Sequence, residues 1–126
     1  MRRVVITGST RGLGYGMAEA FLRAGCAVMV SGRNPGAVDQ AVSNLTARLG
    51  AANVAGQACD VTVFEQLQAL WAAAQARWGG VDIWINNAGI SSGDLPLLEL
   101  LPSLIRTVVE TNLTGALLGS QVAAAG

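Results

Sequence analysis

The chain has 126 residues, a length that fits one domain of ordinary size and leaves no room for two. Apolar residues make up 52% and charged residues 13%, against a usual charged share of about 25%, so disorder is excluded and most segments should be buried. Eight basic and eight acidic side chains cancel, which excludes the electrostatic attraction expected of a nucleic-acid-binding or membrane-surface protein. All eight basic residues are arginines and no histidine is present, so this chain has no lysine or histidine chemistry.

Short β-branched runs alternate with segments of helical period, the pattern of a parallel sheet covered by helices on both faces. In chain order, the predicted strands cover residues 3–7, 27–31, 53–58 and 81–86, and the predicted helices cover residues 12–24, 35–49, 63–78 and a last stretch from 102 almost to the end. The first helix should turn Leu13, Met17, Phe21 and Ala24 inward. We therefore expect one three-layer α/β domain over residues 1–126.

A glycine-rich loop joins the first predicted strand to the first helix. It reads Thr7-Gly8-Ser9-Thr10-Arg11-Gly12-Leu13-Gly14, and its glycines would let the backbone approach a phosphate that the helix amides then bind. Its position between a strand and a helix, about 20 residues before the end of the next strand, is typical of a dinucleotide site. The glycines alone are also compatible with an ordinary tight turn. Ser9 and Thr10 would add hydroxyl groups near the phosphate.

The end of the second predicted strand indicates which dinucleotide binds. An acidic residue at this point accepts a hydrogen bond from the ribose 2'-hydroxyl of NAD. The sequence has Gly32, Arg33 and Asn34 there and no acid until Asp39, while Arg11 lies in the glycine-rich loop. Two guanidinium groups at a 2'-phosphate would form charge-assisted hydrogen bonds of about 1.5 to 3 kcal/mol each. We therefore predict NADP (NADPH) as the cofactor; the alternative is that both arginines face water.

Three further motifs follow the loop in order: residues 59–62 read Cys-Asp-Val-Thr, residues 86–89 read Asn-Asn-Ala-Gly, and residues 111–115 read Thr-Asn-Leu-Thr-Gly. Together with the Thr-Gly-x-x-x-Gly-x-Gly loop, they resemble the motifs of the short-chain dehydrogenase/reductase family. Residues 8–15 and 81–89 look particularly like its chlorophyll(ide) b reductase branch. The resemblance implies an NAD(P)-binding Rossmann fold, here truncated after the fourth βα unit, and hydride transfer between NADP(H) and a small carbonyl or alcohol substrate.

The resemblance also implies which residues contact the cofactor. Beyond the loop residues 7–14, these are Arg33, Asp60, Val61, Asn87, Ala88 and Gly89. Asp60 would bind the adenine amino group, Asn87 would brace the central strands, and Ala88 and Gly89 would leave room for the ribose. From the residues alone, Thr62 after Asp60 is a candidate cap for the third helix, and Asn86 and Asn87 could be turn formers.

Asn112 falls on a predicted apolar face of the last helix, whose other members are Ile105, Val108, Gly115 and Gly119. A buried amide without hydrogen bonds costs about 1 to 3 kcal/mol, so Asn112 should either brace a neighbouring backbone or serve a site. In the family, the matching Asn distorts the helix and holds a water linked to the catalytic lysine. Asn112 is therefore the catalytic candidate here, in a supporting role.

The family's other catalytic residues, a Ser and a Tyr-x-x-x-Lys motif, have no counterpart in this chain. Its one tyrosine, Tyr15, lies in the predicted phosphate-binding helix, and we expect it to pack or to lie at the surface. A tyrosine near pKa 10 is a poor proton donor without a neighbouring cation. We expect the chain to be inactive alone, and the alternative hypothesis is a non-enzymatic dinucleotide-binding or interaction module that acts through a partner chain.

Other classes of site and location are not indicated. Cys26 and Cys59 lack the spacing of a disulfide framework or a metal site, so we expect reduced thiols, no metal and a cytoplasmic location. The apolar runs are too short for a signal peptide or a membrane span. The fourth strand would lie at the sheet edge although it is apolar on both faces, and the leucines between residues 95 and 101 would lack part of their cover. Both features predict self-association.

Overall fold

The structure is a computed structural model that describes residues 1–50, 53–91 and 93–126. The first four strands and three helices are β1 Arg3–Ile6, α1 Gly12–Arg23, β2 Ala27–Gly32, α2 Pro35–Leu49, β3 Val54–Ala58, α3 Phe64–Trp78 and β4 Ile83–Ile85. A 3-10 turn at Leu97–Glu99 precedes α4 Pro102–Val109, a π-helical segment Glu110–Thr114 and α5 Gly115–Ala125. Apart from the last helix, each boundary lies within two residues of its predicted position.

The four strands are parallel and form one sheet in the order β3-β2-β1-β4. Val4 of β1 pairs with Val28 of β2 on one side and with Ile83 of β4 on the other. All carboxyl ends therefore meet at one edge of the sheet, and β4 forms the outer strand as predicted. The α/β architecture with a parallel sheet is confirmed.

Helices bury both faces of this sheet because successive strand residues point to opposite sides. One core lies under α1 and α2 and contains Val4, Ile6, Ala18, Val28, Val30, Ala41, Leu45 and Val54. The other lies under α3 and α5 and contains Val5, Met29, Cys59, Val61, Leu67, Leu70, Ala74 and Val122. Tyr15 is half-buried against the first core, so of its two expected places, packing or the surface, packing is the one seen.

The rotation of α1 differs from the predicted one. Gly14 and Ala18 are its buried residues, whereas Leu13 is 74% exposed and Ala24 is also exposed. A Cβ atom added at Gly14 would lie 2.8 Å from the Cα of Ser9 and closer still to the carbonyl oxygen of Gly8. The inward positions predicted for Leu13 and Ala24 were wrong, because this close approach of helix and loop turns the small residues toward the sheet.

The last helix is not continuous. Gly115 donates its backbone N–H to the carbonyl oxygen of Glu110, five residues earlier, in the widened turn of a π-helix. The buried residues on this stretch are Thr111, Gly115, Gly119 and Val122. Asn112 and Ile105 are exposed. The predicted buried stripe through these two residues was wrong, because it assumed a regular 3.6-residue period across the whole segment.

Arg3 fixes the position of β4 at the opposite edge of the sheet. Its Nε and Nη2 atoms each donate to one carboxylate oxygen of Asp82 at 2.9 Å, and its Nη1 donates to the carbonyl oxygen of Trp78 at 3.3 Å. The Arg3 guanidinium holds the pKa of Asp82 well below its usual range, first through these side-chain hydrogen bonds and next through the backbone N–H of Arg3. The ion pair thus fixes the register of β4 beside β1, and with it the point at which the segment after β4 begins.

Replacing Gly14 by alanine should lower the free energy of unfolding by about 1 to 3 kcal/mol, because the new methyl group would overpack against loop backbone. Gly16→Ala is the matched control: it lies on the same helix, and no atom lies within 4 Å of the added methyl group. That change should raise stability by about 0.5 to 1 kcal/mol, as for a helix-interior glycine. Urea unfolding followed by circular dichroism measures both. Equal stabilities of the two variants would contradict the close approach of α1 to the loop.

Candidate cofactor site

A cavity of about 280 Å³ opens where the carboxyl ends of the strands meet. The predicted cofactor-binding residues that line it are Gly8, Thr10, Arg11, Gly12, Arg33, Val61, Asn87, Ala88 and Gly89. Four more lining residues were not predicted: Gly32, Cys59, Ile90 and Thr111. Cys59 and Thr111 belong to motifs that the sequence analysis quoted, Gly32 was named at the end of the second strand, and Ile90 directly follows the Asn-Asn-Ala-Gly motif, so each of the four had a signal in the sequence.

Thr7 lies beneath the cavity and ties the loop after β1 to the segment after β4. Its buried hydroxyl oxygen accepts the backbone N–H groups of Asn87 and Ala88, both at 3.0 Å. Asn87 in turn donates its side-chain amide to the carbonyl oxygen of Gly8 at 2.9 Å. These three hydrogen bonds hold the two segments together across the central strands.

Ser9 is also buried and does not line the cavity. Its hydroxyl donates to the carbonyl oxygen of Ile6 at 2.7 Å and accepts the backbone N–H of Ser31 at 2.9 Å. The Ser9 side chain therefore fixes the end of β2 under the loop. Gly14 and Leu13 lie outside the cavity as well, the first buried in the contact between helix and loop and the second exposed to solvent.

The loop after β1 leaves open space at the start of α1, and the backbone amides of the first helical turn have no partners within the helix. Gly8 and Gly12 both have φ +60°, a conformation that favours glycine. No atom lies within 4 Å of a Cβ added at Gly12, whereas one added at Gly8 would lie 2.6 Å from the Cα of Ala88. The first turn of α1 contains no acidic residue, so its free amides fit an anionic group. Arg11 and Arg33 line the same cavity, and both are exposed.

Asp60 lies in a second crevice of about 390 Å³, which shares Arg33 and Thr111 with the cavity. Its Oδ1 atom accepts the Thr62 hydroxyl at 2.7 Å and the Thr62 backbone N–H at 3.0 Å. The hydroxyl bond is the main cause that lowers the pKa of Asp60, so the carboxylate stays ionised at neutral pH. The predicted cap at Thr62 was wrong: α3 begins after Val63, and the Thr62 hydroxyl is already bonded to Asp60.

Asn112 clamps the segment after β4. Its Oδ1 accepts the backbone N–H of Ile90 at 2.8 Å, and its Nδ2 donates to the carbonyl oxygen of Ile90 at 2.8 Å. Of the two predicted alternatives, bracing of a neighbouring backbone is the one seen in these contacts. The bond spans 22 residues and anchors the π-helical segment beside the cavity.

Cys59 and Cys26 are free thiols. Burial raises the pKa of Cys59 to about 11, with Asp60 adding to the shift, so its thiol is uncharged. Across the described ranges, no group of three or more His, Cys, Asp or Glu side chains is arranged to hold a metal ion. No helix in the described part of the chain is long and apolar enough to cross a membrane.

Comparison with known proteins gives consistent results. The chain is 41% identical over 132 residues to a probable chloroplastic chlorophyll(ide) b reductase of Arabidopsis thaliana, an alignment that covers 93% of this chain and 27% of that protein. Among solved structures, an actinorhodin polyketide ketoreductase with NADPH has a TM-score of 0.89 and 33% identity, over 97% of this chain and 46% of that one. A 3-ketoacyl-(acyl-carrier-protein) reductase from Brucella melitensis with NADH has a TM-score of 0.87 and 26% identity, over 95% and 47%.

This chain thus spans about a quarter of the plant relative and just under half of the two solved structures. The predicted resemblance, including that to the chlorophyll(ide) b reductase branch, is confirmed. The family model described as short chain dehydrogenase matches residues 2–125. With its parallel sheet, its glycine-rich loop and this match over nearly its whole length, the chain belongs to the short-chain dehydrogenase family.

Proposed function

We propose that this chain binds NADPH in the cavity and forms the cofactor-binding part of an oxidoreductase that transfers hydride between NADP(H) and a small carbonyl or alcohol substrate. The observation that carries the proposal is the pair of guanidinium groups, Arg11 and Arg33, which line one cavity with the glycine-rich loop. Gly32 stands at the strand end where an NAD-selective site has a carboxylate. Two guanidinium groups without that carboxylate favour a 2'-phosphate.

Each element of the cavity has a separate part in holding the nucleotide. The amides at the start of α1 donate to the pyrophosphate, and the Thr10 hydroxyl adds a donor beside them. Arg11 and Arg33 bind the 2'-phosphate, and the Asp60 carboxylate accepts the amino group of the purine. When bound, the cofactor supplies the hydride. Asn112 has a positioning role, since it holds the backbone after Gly89 in place beside the ribose.

Replacing Arg11 and Arg33 together by glutamine should abolish the preference for NADPH over NADH. Each charge-assisted hydrogen bond lost should weaken NADPH binding by about tenfold, the lower end of the expected range because both side chains are exposed. The dissociation constants of both nucleotides are measured by fluorescence titration. Arg77→Gln, on an exposed position of α3, is the control and should leave both constants unchanged. A double variant with the native preference would refute the assignment of the 2'-phosphate to these arginines.

The chain alone should not turn over substrate, because it contains no lysine and its one tyrosine lies on α1 and packs against the first core. We expect no NADPH oxidation, measured at 340 nm, by the pure 126-residue protein with carbonyl substrates such as 3-oxoacyl esters, steroids or tetrapyrrole aldehydes. NADPH binding by the same preparation shows that the protein is folded. Measurable turnover would contradict the proposed incompleteness.

The second candidate is a dinucleotide-binding or interaction module that acts through a partner chain. The completeness of the cavity in this chain favours it, since residues from all four strand ends are already in place. NADPH binding without turnover is expected of both candidates, so the physical state of the pure protein separates them: a stable, soluble monomer or dimer favours this module. Insoluble material would instead support a cofactor-binding part that needs the remainder of an enzyme.

Self-association is proposed for the exposed leucines that lie between β4 and α4 in the sequence. We define the leucine patch as Leu97, Leu98 and Leu101, which are 74%, 97% and 67% exposed. β4, which precedes these leucines in the sequence, is an edge strand of the sheet. An edge strand has backbone donors and acceptors on its outer side that are free to pair with another chain. Together, these features expose both apolar surface and backbone hydrogen-bonding groups to another copy of the chain.

Sedimentation velocity should therefore show dimers or larger species at micromolar concentration. Replacing Leu98 and Leu101 by aspartate should shift the distribution toward monomer, because charge in an apolar contact opposes its burial. Leu13→Asp is the control, since Leu13 is as exposed as Leu97 but lies on α1. An unchanged distribution for the double variant would exclude the leucine patch as the contact surface.

A cytoplasmic location is proposed on the state of the cysteines. Cys26 and Cys59 are both free thiols, and thiols persist in reducing compartments. The Arabidopsis relative is named as chloroplastic, which describes that protein.

A further inference from the structure

The crevice that holds Asp60 has two walls of different origin. Arg33, Asp60 and Thr62 come from the ends of β2 and β3, while Arg106, Thr107, Glu110 and Thr111 come from α4 and the π-helical segment. Arg106 and Glu110 are four residues apart on the helical stretch, so their side chains share one face. Because Arg33 and Thr111 also line the cavity, the crevice adjoins it.

Each wall carries one cation and one anion. Within the described residues, Arg33, Arg106 and Glu110 take part in no ion pair, and Asp60 has only its Oδ1 atom engaged in hydrogen bonds. A simple anion would meet two carboxylates in this crevice, and a simple cation would meet two guanidinium groups. The complementary ligand is one that carries both hydrogen-bond donors and negative charge, as the purine amino group and 2'-phosphate of an adenosine do.

The geometry points to Arg106 as a further cofactor-binding residue, which contacts the adenosine end of the nucleotide from the α4 side, opposite Arg33. This inference rests on the proposed function. A planar guanidinium can stack on the face of a purine and still donate to a phosphate, which an ammonium group cannot do as well. Arg106 would thus contribute to affinity for the adenosine half, through a helix that lies outside the glycine-rich loop.

The test is a titration of the 126-residue chain with NADPH and with adenosine 2',5'-bisphosphate, which carries the adenosine end alone. Arg106→Gln should raise the dissociation constant of adenosine 2',5'-bisphosphate by roughly five- to tenfold. Arg106→Lys should recover only part of this loss, since it restores the charge without the planar group. Arg77→Gln is the matched control and should bind as the unchanged chain does. Circular dichroism melting confirms that each variant is folded.

The outcomes separate this inference from the function on which it rests. If the unchanged chain binds both nucleotides and Arg106→Gln binds them equally well, the role of Arg106 is overturned and the proposed function stands. If the unchanged chain binds neither nucleotide, the proposed function fails and the inference fails with it. Full recovery by Arg106→Lys would overturn stacking and leave only a charge effect.

Discussion

The hydroxyl oxygen of Thr7 accepts two backbone N–H groups at the end of β4, and the shape of the cavity depends on this contact. Both acceptor positions of the hydroxyl are used. Removing the hydroxyl group would leave two amides without a partner beside a buried residue. Each unpaired amide would lower the free energy of unfolding by about 1 to 3 kcal/mol. The contact holds the loop after β1 so close to β4 that Gly8 has room for no side chain. At Gly12, by contrast, no atom lies within 4 Å of an added Cβ, so this part of the loop is open to the cavity that it lines.

Among the described residues, the arginines that form ion pairs and the arginines that line the cavity are different ones. The three ion pairs involve Arg3, Arg23 and Arg48, all remote from the cavity. None of them involves the cavity arginines, Arg11 and Arg33. Arg33 is near enough to Asp60 to help lower the pKa of that carboxyl group, but neither arginine forms an ion pair within the described residues. Both guanidinium groups therefore retain hydrogen-bonding capacity for an anionic ligand.

Much of this fold and site follows from local sequence patterns. The strands and the first three helices were predictable because apolar periodicity, Pro35 at the start of α2 and glycines after the helices are local signals. The rotation of α1 was not predictable, because it depends on a contact between Gly14 and the preceding loop. The π-helical turn was not readable from local periodicity either, since it accompanies a bond from Asn112 to Ile90, 22 residues away. Only the family resemblance, in which the matching Asn distorts the helix, pointed to it. Ser9 shows the same limit: its type suggested a phosphate contact, but its neighbours use its hydroxyl.

The π-helical turn lies between α4 and α5 and lets the side chains of these two helices face different directions. An extra residue in a turn advances every later side chain by about 100° relative to an uninterrupted α-helix. After the turn, Gly115 is buried against Val61, Gly119 is buried against Trp84 and Asn86, and Val122 belongs to the second core. α4, before the turn, has no buried residue. Deleting the exposed Leu113 would swing the glycine face away from the sheet while leaving every buried side chain chemically intact. The extra residue in the turn therefore decides which side of α5 faces the sheet. This orientation determines the second core as much as the identity of the residues that fill it.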